Sequence, residues 1–203
     1  MVEQGKRLVL ASQNSGKIAE LSALLAPHHW QVVPLSTYTD ISVEENAPSY
    51  VENALLKARA AAEASGLPAI ADDSGLEVAA LGGVPGVHSA RYAGDEASDQ
   101  DNVEHLLEAL RQVPDERRDA RFRCLMVYIR SPDDPAPLIA QAVWSGRILH
   151  APKGHDGFGY DPVFYVPESG CSAAELEPVQ KNRLSHRAQA VRTLIESLVD
   201  SST

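Results

Sequence analysis

Ser12-Gln13-Asn14-Ser15-Gly16-Lys17 stands between a short apolar run, Leu8-Val9-Leu10-Ala11, and apolar residues at helical spacing, Ile18, Leu21, Leu24 and Leu25. A polar turn that leaves a strand and opens a helix offers backbone N–H groups and the positive end of a helix dipole to an anion. Lys17 falls in that first turn, where a cation costs about 0.3 kcal/mol or more unless an anion such as phosphate is bound. A solvated surface turn with an ordinary lysine fits the same residues. The Walker A spacing, G-x-x-x-x-G-K-[ST], is absent.

Asp72-Asp73-Ser74-Gly75 follows a second apolar run, Pro68-Ala69-Ile70-Ala71. It is therefore expected at the carboxyl end of a strand, where open α/β sheets bind their ligands. Consecutive strand residues point to opposite faces, so only one of the two aspartates addresses a given site. A plain Asp-Asp-Ser-Gly turn is the alternative. Glu44-Glu45 precedes a helix on which Tyr50, Asn53 and Lys57 share a face, so carboxylates, an amide and an ammonium could line one cleft. Carboxylates with several remaining waters suit Mg²⁺, above all where substrate phosphates complete its octahedron. A solvated acidic loop beside a surface helix is the competing description.

Gly154-His155-Asp156-Gly157-Phe158-Gly159-Tyr160-Asp161-Pro162 sets two aromatic rings among glycines that let backbone approach a flat ligand such as a nucleobase. Otherwise it is a tight loop whose rings cover the core. In Lys181-Asn182-Arg183-Leu184-Ser185-His186-Arg187, Ser185 is a plausible helix cap, and His186 and Arg187 crowd the positive end that follows. This is the second such placement in an acidic chain. A bound nucleoside triphosphate would account for both, and so would a capped helix with exposed bases.

The elements that must position these groups alternate in type. Strands are expected at Leu8 to Ala11, Trp30 to Leu35 and Pro68 to Ala71, with helices between them, the second over Tyr50 to Ala64. Ser98 with Asp101 forms a weak capping box ahead of Val103, Leu106, Leu107 and Leu110. Phe122 to Arg130 and Leu138 to Ile148 read as strands joined by a hairpin at Ser131-Pro132-Asp133-Asp134-Pro135, and a last helix runs from about Ser185 to Val199. The pattern predicts an α/β fold with a mixed sheet flanked by helices, in a single domain over 1–203.

The acidic balance, 28 Asp and Glu against 18 Lys and Arg, argues against a nucleic-acid partner, whose phosphates would meet a repelling field. No apolar stretch approaches the ~20 residues of a membrane helix. The opening Met1-Val2-Glu3-Gln4-Gly5-Lys6-Arg7 lacks the apolar region of a signal peptide, so a cytoplasmic protein is expected. Cys124 and Cys171 have no neighbouring His or Cys ligand pattern, which speaks against zinc and a structural disulfide.

Taken in order, Ser12–Lys17, Glu52-Asn53-Ala54-Leu55-Leu56-Lys57-Ala58, Ala71-Asp72-Asp73-Ser74-Gly75-Leu76, Gly82-Gly83-Val84-Pro85-Gly86 with Ser89-Ala90-Arg91-Tyr92, Gly157–Pro162, and Lys181 with Ser185-His186-Arg187 resemble the inosine triphosphate pyrophosphatase family. The resemblance covers nearly the whole chain. It implies Mg²⁺-dependent hydrolysis of noncanonical purine nucleoside triphosphates (ITP, dITP, XTP) to the monophosphate and pyrophosphate. It further implies a phosphate site from Ser12, Gln13, Asn14, Ser15, Gly16, Lys17 and Lys57, substrate binding by Ser74, and metal ligation by Glu44 and Asp73; Asp73 or a neighbouring carboxylate is expected to activate the water, with Asp73 favoured as the catalytic base. A base pocket of Phe158, Gly159, Tyr160, Asp161, Lys181, His186 and Arg187 is implied too, as is a homodimer. Ser12 and Gln13 stand where many relatives carry threonine and glycine. Two other readings use the same residues: a nucleotide-binding module without catalysis, and a pyrophosphatase for modified pyrimidine or ordinary nucleotides.

Overall fold

The structure, a computed structural model, describes residues 6–40 and 43–200; the expectation about the opening Met1–Gly5 concerns residues outside that range. Twelve helices and strands follow one another in the described residues: β1 (Lys6–Leu10), α1 (Ser15–Leu25), β2 (Trp30–Pro34), α2 (Tyr50–Ser65), β3 (Ala69–Val78), α3 (Asp99–Ala109), β4 (Asp119–Ile129), β5 (Leu138–Ile148), β6 (Phe164–Val166), β7 (Cys171–Ser172), α4 (Pro178–Leu184) and α5 (His186–Asp200). The seven strands form one sheet in the order β2-β1-β3-β4-β5-β6-β7. β1 runs parallel to β2 and β3, whereas β6 is antiparallel to β5 and β7. This is the mixed α/β sheet expected from the alternation of elements. Among the described residues no helix is long and apolar enough to cross a membrane.

The chain divides into two compact units, with β3, β4 and β5 each contributing to both. Of the described residues, the first unit holds 6–40, 43–73, Cys124–Ala142 and 187–200. Its strand β1 is buried on both faces. Leu8 and Leu10 pack with Leu21 and Leu25 of α1 and Ala190, Val191 and Leu194 of α5, while Val9 packs with the alanines of α2. Such a strand reads as a continuous apolar run because helices cover both sides. Ala54, Ala58, Ala61 and Ala62 let α2 lie close to the sheet, which brings Asn53 and Lys57 of the same helix to β3. The polar turn before α1 is built as expected: the Asn14 side chain caps the helix by accepting from the Lys17 N–H at 3.0 Å, and the Asn14 N–H donates to Ser12 Oγ at 3.2 Å.

The second unit holds Ser74–Arg123 and Val143–His186. Val103, Leu106 and Leu110 of α3 pack on Leu76, Val78, Phe122, Trp144, Ile148 and Phe164. The Ser98–Asp101 capping box is complete. Arg118, 2% exposed, donates to the carbonyls of Leu110, Ile148 and Leu149, each at 2.8 Å, and so ties the end of α3 to β5.

One expectation fails outright. Asp72-Asp73-Ser74-Gly75 is neither a turn nor the end of a strand, because β3 continues to Val78. Leu76 and Val78 lie fully buried in the second core, and that burial outweighs the local turn preference of Asp, Ser and Gly. The short strands β6 and β7 and helix α4 were not expected.

Candidate active site

β3 carries the two aspartates in mid-strand, and the pleat sends their side chains in different directions. Asp72 Oδ2 lies 3.0 Å from Lys17 Nζ and 3.2 Å from Arg187 Nε. Asp73 Oδ2 accepts from Asn53 Nδ2 at 3.1 Å, and its Oδ1 lies 3.8 Å from Lys57 Nζ. Lys57 also donates to the Asp72 carbonyl and to Glu45 Oε2, both at 2.8 Å. Asn53 reaches the acidic loop as well, since its Oδ1 accepts the Ala47 N–H at 3.0 Å. One amide and one ammonium, a helical turn apart on α2, thus fasten the loop before α2 to the strand bearing Asp73.

These contacts bring Lys17, Lys57 and Asp73 into one polar cluster in the first unit. Burial pushes the Asp73 carboxyl above the usual range. Lys57 opposes the rise, Glu45 adds to it, and Lys17 and the Asn53 hydrogen bond also oppose it. A carboxylate raised in this way is a better proton acceptor near neutral pH than a solvated one.

Glu44, expected beside Asp73, is exposed, and its side chain accepts from Asn46 Nδ2 at 3.3 Å; Glu45 is the acid that meets Lys57. Gln13, Asn14 and Ser15 are exposed, and Ser12, Gly16 and Lys17 are half-buried. Arg187, expected to face a base, is 3% exposed, and its guanidinium is bound by Glu20 and Asp72. A guanidinium this deep needs carboxylate partners. Burial works against its charge, but Asp72 and Glu20 outweigh burial and hold its pKa above the ordinary value.

In the second unit, Asp161 is the hub of the glycine-rich loop. Its Oδ2 accepts the Phe158 N–H at 2.9 Å and Lys181 Nζ at 2.6 Å, and that ammonium lies 4.9 Å from the centre of the Phe158 ring. Gly157 runs at φ +79°, and a Cβ there would stand 2.2 Å from Asp161 Oδ2, so the close approach at this glycine is to the Asp161 side chain. The Gly159 N–H donates to Asp99 at the start of α3. Tyr160 is a core residue, 5% exposed, whose hydroxyl donates to the Ser89 carbonyl at 2.9 Å; burial raises its pKa. His186 is 4% exposed and lies face to face with Phe122. Ser74 is half-buried on β3. Cys124 and Cys171 are both free thiols.

Beside this geometry stands a match of residues 8–197 to a family model. The chain belongs to the Ham1 family. A dITP/XTP pyrophosphatase of Methylococcus capsulatus is 57% identical over 193 residues, covering 95% of this chain and 96% of the relative. The dITP/XTP pyrophosphatase of Vibrio cholerae is 50% identical over 98% of this chain and 99% of its own. Among solved structures, a HAM1 protein from Coxiella burnetii superposes with a TM-score of 0.86 at 47% identity, covering 96% of this chain and 99% of that one.

For this Ham1 chain, the sequence motifs missed two contacts of the polar cluster in the first unit. Glu45 could have been separated from Glu44 only by knowing which of them faces Lys57, and loop residues have no periodicity to say so. Glu20 sits one turn after Lys17 in an ordinary helix, and nothing local marks it as the partner of a residue 167 positions away.

Proposed function

We propose that this chain hydrolyses noncanonical purine nucleoside triphosphates (dITP, ITP and XTP) to the nucleoside monophosphate and pyrophosphate. The observation that carries the reading is the meeting of Lys17, Lys57, Asn53 and Asp73, drawn from three separated segments, in one partly buried cluster. Phosphoryl chemistry asks a protein mainly for positioning and charge neutralisation, and this cluster supplies the positioning.

Water is the nucleophile. Asp73, oriented by Asn53 and Lys57, takes its proton as the oxygen attacks the α-phosphorus; the bond from that phosphorus to the α–β bridging oxygen breaks, and pyrophosphate leaves. Lys17 and Lys57 offset charge on the phosphate oxygens, with the turn Ser12, Gln13, Asn14, Ser15 and Gly16 and the hydroxyl of Ser74 donating to them.

Charge balance supports a divalent cation. Among the described residues, Lys17, Lys57 and Arg187 are engaged with four carboxylates, Asp72, Asp73, Glu20 and Glu45, leaving the cluster acidic before a polyanion arrives. Among the described residues no group of three acids, histidines or cysteines gathers, but Mg²⁺ takes one or two carboxylates and keeps water and phosphate for the rest, so Asp73 and Glu45, which share Lys57, would serve to hold it. When bound, the ion neutralises phosphate charge and lowers the pKa of a coordinated water.

The base is read by His186, with Phe158, Gly159, Tyr160, Asp161 and Lys181 shaping its surroundings. Hypoxanthine and xanthine present a carbonyl at C6 where adenine presents an amino group. An imidazole N–H that meets the amino group stays buried without an acceptor, at a cost of about 1–3 kcal/mol. Arg187 serves the phosphate cluster, through Asp72 and its contact with Lys17. The protein works in the cytoplasm as a homodimer. Light scattering measures the oligomeric state.

The test is a panel of ITP, XTP, GTP and dCTP at equal concentration with Mg²⁺, read separately for pyrophosphate and orthophosphate. Pyrophosphate from ITP and XTP is expected. Orthophosphate, preference for dCTP, or tight ITP binding without turnover overturns the reading. Asp73→Asn is expected to lower kcat by about 10²–10⁴-fold.

A further inference from the structure

We infer that Phe122 is a positioning residue for base recognition, acting through His186. The inference rests on the reading of His186 as the base donor and deepens it. Phe122 lies on β4, 8% exposed, with its ring centre 4.8 Å from that of His186 and the planes only 10° apart. Trp144 of β5 extends the same stack, 6.3 Å from Phe122 at 24° and 6.3 Å from His186 at 21°. Phe164 closes the group from the side, 4.6 Å from Phe122 and 5.1 Å from Trp144 with planes tilted by about half a right angle. Phe164 is fully buried, so the wall behind Phe122 has nowhere to relax.

A face-to-face neighbour fixes the plane of an imidazole by contact with its faces, without engaging its ring N–H groups. A purine carbonyl accepts best from a donor near its own plane, so fixing the imidazole plane fixes which base edge it can satisfy. The residues of the stack lie in one unit and come from three elements, β4, β5 and the start of α5, so no local sequence pattern reveals the arrangement. Phe122 takes no part in the proposed hydrolytic step. Its effect falls on base affinity and base choice, and the chemical step is left alone.

Three measurements test this. In the wild-type protein, NMR of the His186 ring, assigned by its loss in His186→Asn, is expected to show Hδ2 and Hε1 shifted upfield by the facing Phe122 ring relative to the exposed histidines. Phe122→Leu is expected to raise KM for dITP about tenfold, equivalent to ~1.4 kcal/mol, with kcat within about twofold of wild type and the upfield shift lost. Phe122→Tyr, which keeps the ring, is expected to restore both KM and shift. Phe122→Met makes the same comparison if the leucine variant does not fold. Unshifted His186 resonances in the wild type, or a folded Phe122→Leu or Phe122→Met enzyme with wild-type KM, overturn the inference. His186→Asn separates the two levels. If it raises KM while Phe122→Leu does not, the positioning role alone fails; if it leaves KM unchanged, the reading of His186 as base donor fails and the inference falls with it.

Discussion

Replacing Asp72 by Asn should unsettle the protein far more than an isosteric change normally does. The Asp72 side chain is fully buried, and its Oδ2 faces Lys17 Nζ at 3.0 Å and Arg187 Nε at 3.2 Å; Arg187 also holds Glu20. Two cations and two carboxylates are therefore balanced, and Asp72→Asn leaves one positive charge uncompensated around a guanidinium with 3% exposure. Removing one partner of a buried pair costs about 3–5 kcal/mol. Lys17 retains 17% side-chain exposure and can turn toward water, so the lower end, about 3 kcal/mol, applies. For a chain of 203 residues that corresponds to a fall in Tm of about 6–12 °C. The assay is thermal unfolding of the single variants and of Asp72→Asn combined with Arg187→Met. The pair removes both charges and leaves Lys17 and Glu20 in balance, so the double variant should recover most of the loss. A single-variant shift below about 2 °C, or a double variant as unstable as the sum of the singles, would refute the reasoning.

Gly157→Ala forces a Cβ to within 2.2 Å of Asp161 Oδ2 at a φ of +79°, so Asp161 must release Phe158 or Lys181; KM for dITP should rise while kcat changes little, as steady-state kinetics will show. Asp134, 3% exposed, is held well below the usual carboxylate range, first by the Arg130 side chain and against some burial, with backbone N–H groups of Arg130 and Ala136 adding to it. A depressed folded-state pKa gives stability that is full above the unfolded value of about 3.9 and drains away as pH falls below it. Asp134→Asn should therefore flatten the acid limb of a stability–pH curve measured by urea unfolding from neutral pH down to about pH 2. Arg118→Met strands the carbonyls of Ile148 and Leu149 and should cost about 3 kcal/mol in chemical denaturation, with Arg118→Lys recovering only part of it.

What the sequence disclosed depended on whether a contact is local. Lys17 in its turn, and Asn53 with Lys57 on one helix face, follow from spacing alone, and the alternation of apolar runs and helices was enough for a mixed α/β sheet. The extension of β3 past Gly75 was hidden because it depends on a core that Leu76 and Val78 enter from elsewhere, while the residues themselves read as a turn. β6 and β7, of three and two residues, are too short to show any period. The pairing of Arg187 with Asp72 spans 115 positions, and no periodicity reaches that far.

That pairing also revises the argument from misplaced cations. Lysine and arginine at positive helix ends suggested a missing polyanion, yet Asp72 lies within 3.2 Å of both, so their charge is already answered inside the protein. On the proposed reading, a triphosphate would find Lys17 and Lys57 already held by carboxylates, and would have to draw those ammonium groups away or arrive with a cation of its own. The second route leaves the buried Lys17–Asp72 contact intact. It is the less costly one, because drawing Lys17 away would take from a fully buried carboxylate one of its cations.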